Sequence, residues 1–126
     1  MTTQIDHIEL IVRDLEAHEK FFTDLGFEVI MRSNHHGGSI EVQLPGPNQP
    51  IFEIHKVIGE EVIGINHIAL RVTDVEETHQ LFKEKGFEIL AAPRFSTHTG
   101  RTNMNGRDPD GWRVQIVDQK RTDPTE

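Results

Sequence analysis

The chain repeats itself at an interval of about sixty residues. Ile5-Asp6-His7-Ile8-Glu9-Leu10-Ile11-Val12-Arg13-Asp14 returns as Ile65-Asn66-His67-Ile68-Ala69-Leu70-Arg71-Val72-Thr73-Asp74. Glu16 then matches Glu76, Phe22 matches Phe82, and Gly26-Phe27-Glu28 matches Gly86-Phe87-Glu88. Two copies of one supersecondary unit must each form the same elements, and together they restrict the chain to an internally duplicated fold. Each copy carries a histidine at the same point. Duplicated imidazoles on equivalent strands are candidates for one shared metal site.

Within each copy the order of elements follows from periodicity. Ile8, Leu10 and Val12 alternate with His7, Glu9, Ile11 and Arg13, the pattern of a strand with two different faces. Asp14 is a helix cap, and Leu15, His18, Phe21, Phe22 and Leu25 have helical spacing, ended by Gly26. Strands are predicted at 27–31, 40–44 and 51–57, with the glycine-bounded loop Asn34-His35-His36-Gly37-Gly38 and the proline-rich turn 45–50 between them. The second copy predicts a strand at 65–72, a helix at 75–85 after the cap Asp74, and strands at 87–91, 101–105 and 112–117. A polar loop is predicted from Pro93 to Gly100, and a charged, frayed tail from Asp118. The expected class is α+β: one domain, 1–126, made of two paired βαβββ modules at about 5–57 and 65–118. The two modules are expected to form a curved sheet around a metal-centred cavity.

The bulk properties exclude several classes. A net charge of −8 argues against nucleic acid and against an anionic membrane as partners. The absence of cysteine removes disulfides and thiolate chemistry. No stretch approaches the ~18 apolar residues of a membrane span, and the first residues have no basic flank or apolar core. A soluble cytoplasmic protein is the expectation.

The metal-site reading extends to two further corners. The last strand of each copy embeds one polar residue among apolar neighbours: Glu53 in Ile51-Phe52-Glu53-Ile54-His55, and Gln115 in Trp112-Arg113-Val114-Gln115-Ile116. A buried polar side chain in such a strand needs a partner or a function. His7, Glu53, His67 and Gln115 are therefore the candidate ligands of one divalent ion. Two imidazoles, a carboxylate and an amide oxygen suit nickel, zinc, manganese, cobalt or iron without distinguishing them.

With these residues in view, the chain resembles the vicinal oxygen chelate superfamily, which includes glyoxalase I, methylmalonyl-CoA epimerase, extradiol dioxygenases, fosfomycin-resistance enzymes and bleomycin-binding proteins. The most specific stretch is Asp108-Pro109-Asp110-Gly111-Trp112-Arg113-Val114-Gln115-Ile116, which is similar to the family's Asp-Pro-Asp-Gly turn into its last ligand strand. The resemblance implies paired βαβββ modules and a metal held by the first and last strand of each, here His7, Glu53, His67 and Gln115. It implies a lyase or isomerase of glyoxalase-like type, acting on a small substrate that offers vicinal oxygens to the metal. The alternatives are an extradiol-type dioxygenase, a fosfomycin-type transferase and a metal-free binding or resistance protein. Glu53 or Glu9 would move the proton. Relatives grip glutathione with an arginine and an asparagine where this chain has Ile11 and Val57, which argues against glutathione hemithioacetal as substrate. Arg71, at the pseudo-symmetric position, and His98 and Arg101 are the candidate readers of an anionic substrate group.

The resemblance also implies a homodimer, because curled sheets with open edges need those edges protected. Sedimentation at micromolar concentration should show a species of about twice 14.4 kDa. A monomer alone would refute the dimer.

Overall fold

In a computed structural model, residues 2–119 are described. The expected tail lies outside them from residue 120 onward. The chain is α+β and runs β1 (Thr2–Val12), α1 (Leu15–Asp24), β2 (Glu28–Ser33), β3 (Ser39–Gln43), β4 (Ile51–Lys56), β5 (Gly64–Val72), α2 (Val75–Lys85), β6 (Ile89–Ser96), β7 (Arg101–Arg107) and β8 (Arg113–Val117). This is βαβββ twice, in the order the repeat predicts. Among the described residues, no helix is long and apolar enough to cross a membrane.

The chain divides into two compact units. The described residues of one are 7–66, and those of the other are 2–6 and 67–119. In the first unit the strand order is β2-β3-β4-β1, with β1 parallel to β4 and the other pairs antiparallel. One face of this sheet is apolar. Val12, Ile40, Val42 and Ile54 are buried there, and Leu10, Leu15, Phe22, Phe27, Val29 and Phe52 pack against them. Helix α1 starts at Asp14, whose carboxylate accepts from the Ala17 amide at 3.0 Å. The helix docks largely through Phe22, which meets Phe27 and Phe52 edge-on at centroid distances of 5.1 and 5.7 Å.

The second unit repeats this plan with the order β5-β8-β7-β6. Val72, Val75, Met104 and Ile116 form its core, with Leu70, Phe82 and Val114 around them. Asp74 caps α2 by accepting from the amides of Glu76 and Glu77, and Gly86 closes it in the left-handed conformation. Strand β6 runs on to Ser96, through the Pro93 that marked the predicted loop. The extension is possible because β6 is the outermost strand of its unit and its register shifts between Ala91 and Arg94. A proline there removes no needed ladder bond.

A buried ionic knot ties three strands of this unit. Asp6 in β1 accepts from Arg71 in β5 at 2.6 and 2.9 Å and from Arg101 in β7 at 3.1 Å. Arg101 also donates to the Gln119 carbonyl at 3.1 Å. Asp6 and Arg101 are both buried. Removing the carboxylate charge leaves two guanidiniums without their counter-ion, so Asp6→Asn should cost about 3 kcal/mol in urea unfolding. Gly106 in β7 is a second sensitive point. A Cβ built there would lie 2.5 Å from a ring carbon of Phe82 and 2.8 Å from the Glu88 carbonyl. Because the carbonyl cannot move aside as a side chain could, Gly106→Ala should destabilise by roughly 1–3 kcal/mol, read from the same unfolding curves.

Candidate functional site

The face of the first sheet opposite its apolar core is polar and buried. His7, Glu9, Ser39, Glu41, Glu53 and His55 are all buried. Strand alternation puts them there: His7 and Glu9 on β1, Glu53 and His55 on β4, and Ser39 and Glu41 on β3 point away from the side that holds Ile54 and Val42. Register then aligns them laterally. Glu9 pairs with Glu53, and Glu53 pairs with Glu41, so three buried carboxylates form a row across three strands. The His7 Nε2 lies 3.7 Å from Glu53 Oε2. Carboxylates buried side by side repel one another and lose hydration, and both costs fall when a cation joins them. Imidazole nitrogen beside carboxylate oxygen is a donor set that fits a borderline or hard first-row divalent ion.

Farther along the same face, His55 is fully buried. Its Nε2 is 3.2 and 3.3 Å from the two carboxylate oxygens of Glu61, and its Nδ1 is 4.0 Å from Glu9 Oε2. The His36 ring stacks on it with centroids 4.4 Å apart. Burial pushes the Glu61 carboxyl up, but the Ile58 amide and the His55 and His36 imidazoles outweigh burial and hold it below the ordinary value.

The second unit presents the equivalent positions with different chemistry. His67 is buried on β5 and Gln115 is half-buried on β8. In the first unit Glu53 pairs with Glu9, two residues past His7, and in the second Gln115 pairs with Ala69, two residues past His67. The register therefore gives Glu53 and Gln115 the same place in their units. The position of Glu41 corresponds to Asn105, which pairs with Gln115. The row Glu9-Glu53-Glu41 thus becomes Ala69-Gln115-Asn105, and its carboxylates are gone. Strand β8 is aimed by the turn before it. Asp108 accepts from the amides of Asp110 and Trp112 at 3.0 and 2.7 Å, and its own amide donates to the Trp112 carbonyl at 2.8 Å.

The remaining expected site residues are placed as follows. Arg71 and Arg101 converge on Asp6, and the partner seen for Arg71 is Asp6 rather than Glu9. His98 is exposed in the turn between β6 and β7. Ile11 is buried, and Val57 is half-buried. Sequence reading passes over Glu41 as one residue of an ordinary strand, and places His36 in a glycine-bounded loop with no stated partner. Glu41 was detectable, since it alternates with Ile40 and Val42 as Glu53 does with Phe52 and Ile54. The stacking of His36 had no local signal.

Comparison with known proteins agrees with this architecture. Residues 4–116 match the model of the Glyoxalase/Bleomycin resistance protein/Dioxygenase superfamily. A probable lactoylglutathione lyase of Synechocystis sp. is 23% identical over 120 residues, 88% of this chain and 92% of that protein. Among solved structures, a variant of Streptomyces coelicolor methylmalonyl-CoA epimerase in complex with 2-nitronate-propionyl-CoA matches with a TM-score of 0.76 at 21% identity, over 97% of this chain and 99% of that one. The 2,2',3-trihydroxybiphenyl 1,2-dioxygenase of Sphingomonas wittichii matches with a TM-score of 0.70 at 18% identity, over 93% of this chain and 42% of that one. The match from residue 4 to 116, on a chain with the duplicated βαβββ architecture, makes this protein a member of the Glyoxalase/Bleomycin resistance protein/Dioxygenase superfamily.

Proposed function

We propose that the protein is a divalent-metal-dependent lyase or isomerase of the glyoxalase-like type, acting on a small substrate with vicinal oxygens and an anionic group. The observation that carries this reading is the buried row Glu9-Glu53-Glu41 beside His7. Concentrated negative charge on a buried face serves cation binding and proton transfer better than it serves stability. The proposed ligands are His7, Glu53, His67 and Gln115. When bound, a divalent ion would act as a Lewis acid toward the substrate oxygens.

The protein's own groups divide the remaining work. Glu53, 3.7 Å from His7, is assigned to holding the ion. Glu53 or Glu9 is the expected proton carrier, and Glu41, the other neighbour of Glu53 in the buried row, is proposed to share that role. Replacing a carboxylate by Gln115 removes one negative charge from the ligand set, which lowers metal affinity and leaves the ion more electrophilic. Asp6, Arg71 and Arg101 together carry two positive charges against one negative, so the knot keeps a net attraction for a carboxylate or phosphate. His98, exposed at the β6–β7 turn, is proposed as an outer contact for the same group.

The relatives suggest two thioester-linked or thioether-linked substrates to try, a glutathione hemithioacetal and methylmalonyl-CoA. Buried Ile11 gives the glutathionyl carboxylates nothing to pair with at that position, which favours the second and small 2-oxo or 2-hydroxy acids. Each substrate should be assayed with nickel, manganese, cobalt, zinc or iron added to stripped protein, alongside oxygen uptake with a catechol. Metal-dependent proton exchange or epimerisation is expected, falling by about 100-fold or more in His7→Ala and Glu41→Gln. Gln115→Glu should bind metal more tightly. Full turnover in stripped protein, or catechol-dependent oxygen uptake in place of proton exchange, would overturn the assignment.

A further inference from the structure

The environment of His55 contains an unanswered polar atom. Both oxygens of Glu61 face Nε2 at 3.2 and 3.3 Å. One of them, Oε1, also accepts from the Ile58 amide at 2.9 Å. A carboxylate in that position accepts from Nε2, which leaves Nδ1 as the ring nitrogen still to be satisfied. That Nδ1 is buried and has no hydrogen-bond partner. What it faces is Glu9 Oε2 at 4.0 Å, at a separation too long for a hydrogen bond. A buried imidazole nitrogen and a buried carboxylate oxygen at that separation are placed to share a cation.

His36 supplies a third donor. It stacks against His55 at 4.4 Å and 25°, held with a left-handed backbone at φ 54° that a non-glycine residue seldom adopts. One ligand atom each from Glu9, His36 and His55 lies within 4.8 Å of the other two. Glu9 and His55 are buried whereas His36 is exposed, so the group has rigid inner ligands and a solvent-accessible outer one.

We propose that Glu9, His36 and His55 form a second divalent-metal site, suited to zinc, with Glu61 as the carboxylate that orients His55. The site shares no ligand with the His7, Glu53, His67 and Gln115 set, although Glu9 also belongs to a candidate group with His7. Zinc with two imidazoles, one carboxylate and an open position has bond lengths of about 2.0–2.2 Å, which puts tetrahedral ligand atoms roughly 3.4 Å apart. The Nδ1–Oε2 gap of 4.0 Å needs only a small contraction to reach that. A histidine that binds metal through one nitrogen and donates to a carboxylate through the other is a recurrent arrangement, because the carboxylate fixes the tautomer and raises ligand basicity.

The test is zinc titration of the stripped, full-length protein by calorimetry, with bound zinc counted after gel filtration. Wild type should bind two equivalents. His36→Ala, a change on an exposed loop, should retain one, and His7→Ala should retain the other. The double variant should bind none. Glu61→Gln should weaken the His36-dependent equivalent by about 10–100-fold and leave the His7-dependent one unchanged. A single wild-type equivalent that survives in His36→Ala, or wild-type binding in His36→Ala or in Glu61→Gln, overturns the second site. Unchanged binding in His7→Ala counts against the primary site alone, so the two readings fail separately.

Discussion

The parallel pairing of β1 with β4 is the constraint from which the chemistry of the first unit follows. It sets Glu9 against Glu53, and the antiparallel neighbour β3 then brings Glu41 to the other side. A slip of one residue in either pairing would send these carboxylates to the apolar face and Ile54 and Val42 to the polar one. The register is fixed because the opposite face is committed to α1 through Phe22, Phe27 and Phe52. Packing on one side of the sheet thus determines the electrostatics of the other. Hydrophobic burial elsewhere in the unit offsets part of the cost of the acidic row.

The duplication lets the two units be compared position by position, and the comparison shows divergence of charge on a retained backbone. The histidines persist at His7 and His67, and the helix caps persist at Asp14 and Asp74. Glu9, Glu53 and Glu41 are answered by Ala69, Gln115 and Asn105. Cationic residues gather instead in the second unit, where Arg71 and Arg101 share Asp6. The first unit concentrates buried negative charge in one row, and the knot in the second sets two guanidiniums against one carboxylate.

Much of this could be read from the residues. The element order, both helix caps and the extent of α2 follow from local signals, since capping and periodicity are properties of neighbouring residues. Equivalence of Glu53 and Gln115 was legible from their matching offsets and is repeated by the strand register. Pro93 misled, because a proline that breaks an inner strand is harmless at an edge, and edge position is a property of the whole sheet. The partner of Arg71 was hidden for a similar reason. Asp6 precedes the first strand's alternating core and looked like part of its lead-in, whereas it is a buried counter-ion for two distant arginines. The Glu61–His55–His36 arrangement depends on a loop conformation that composition does not encode.

The Asp6 knot has a consequence for how the chain acquires its structure. Its two ion pairs span sequence separations of 65 and 95 residues, so they close among the longest loops the chain can make. During synthesis the segment carrying Asp6 emerges first, yet its two partners are not available until Arg101 has left the ribosome. Residues 7–66 can fold meanwhile around their own core, while Asp6 waits for its guanidiniums. Long-range closure of this kind is slow. The complete knot can therefore close only after Arg101 is available, late in the assembly of the chain.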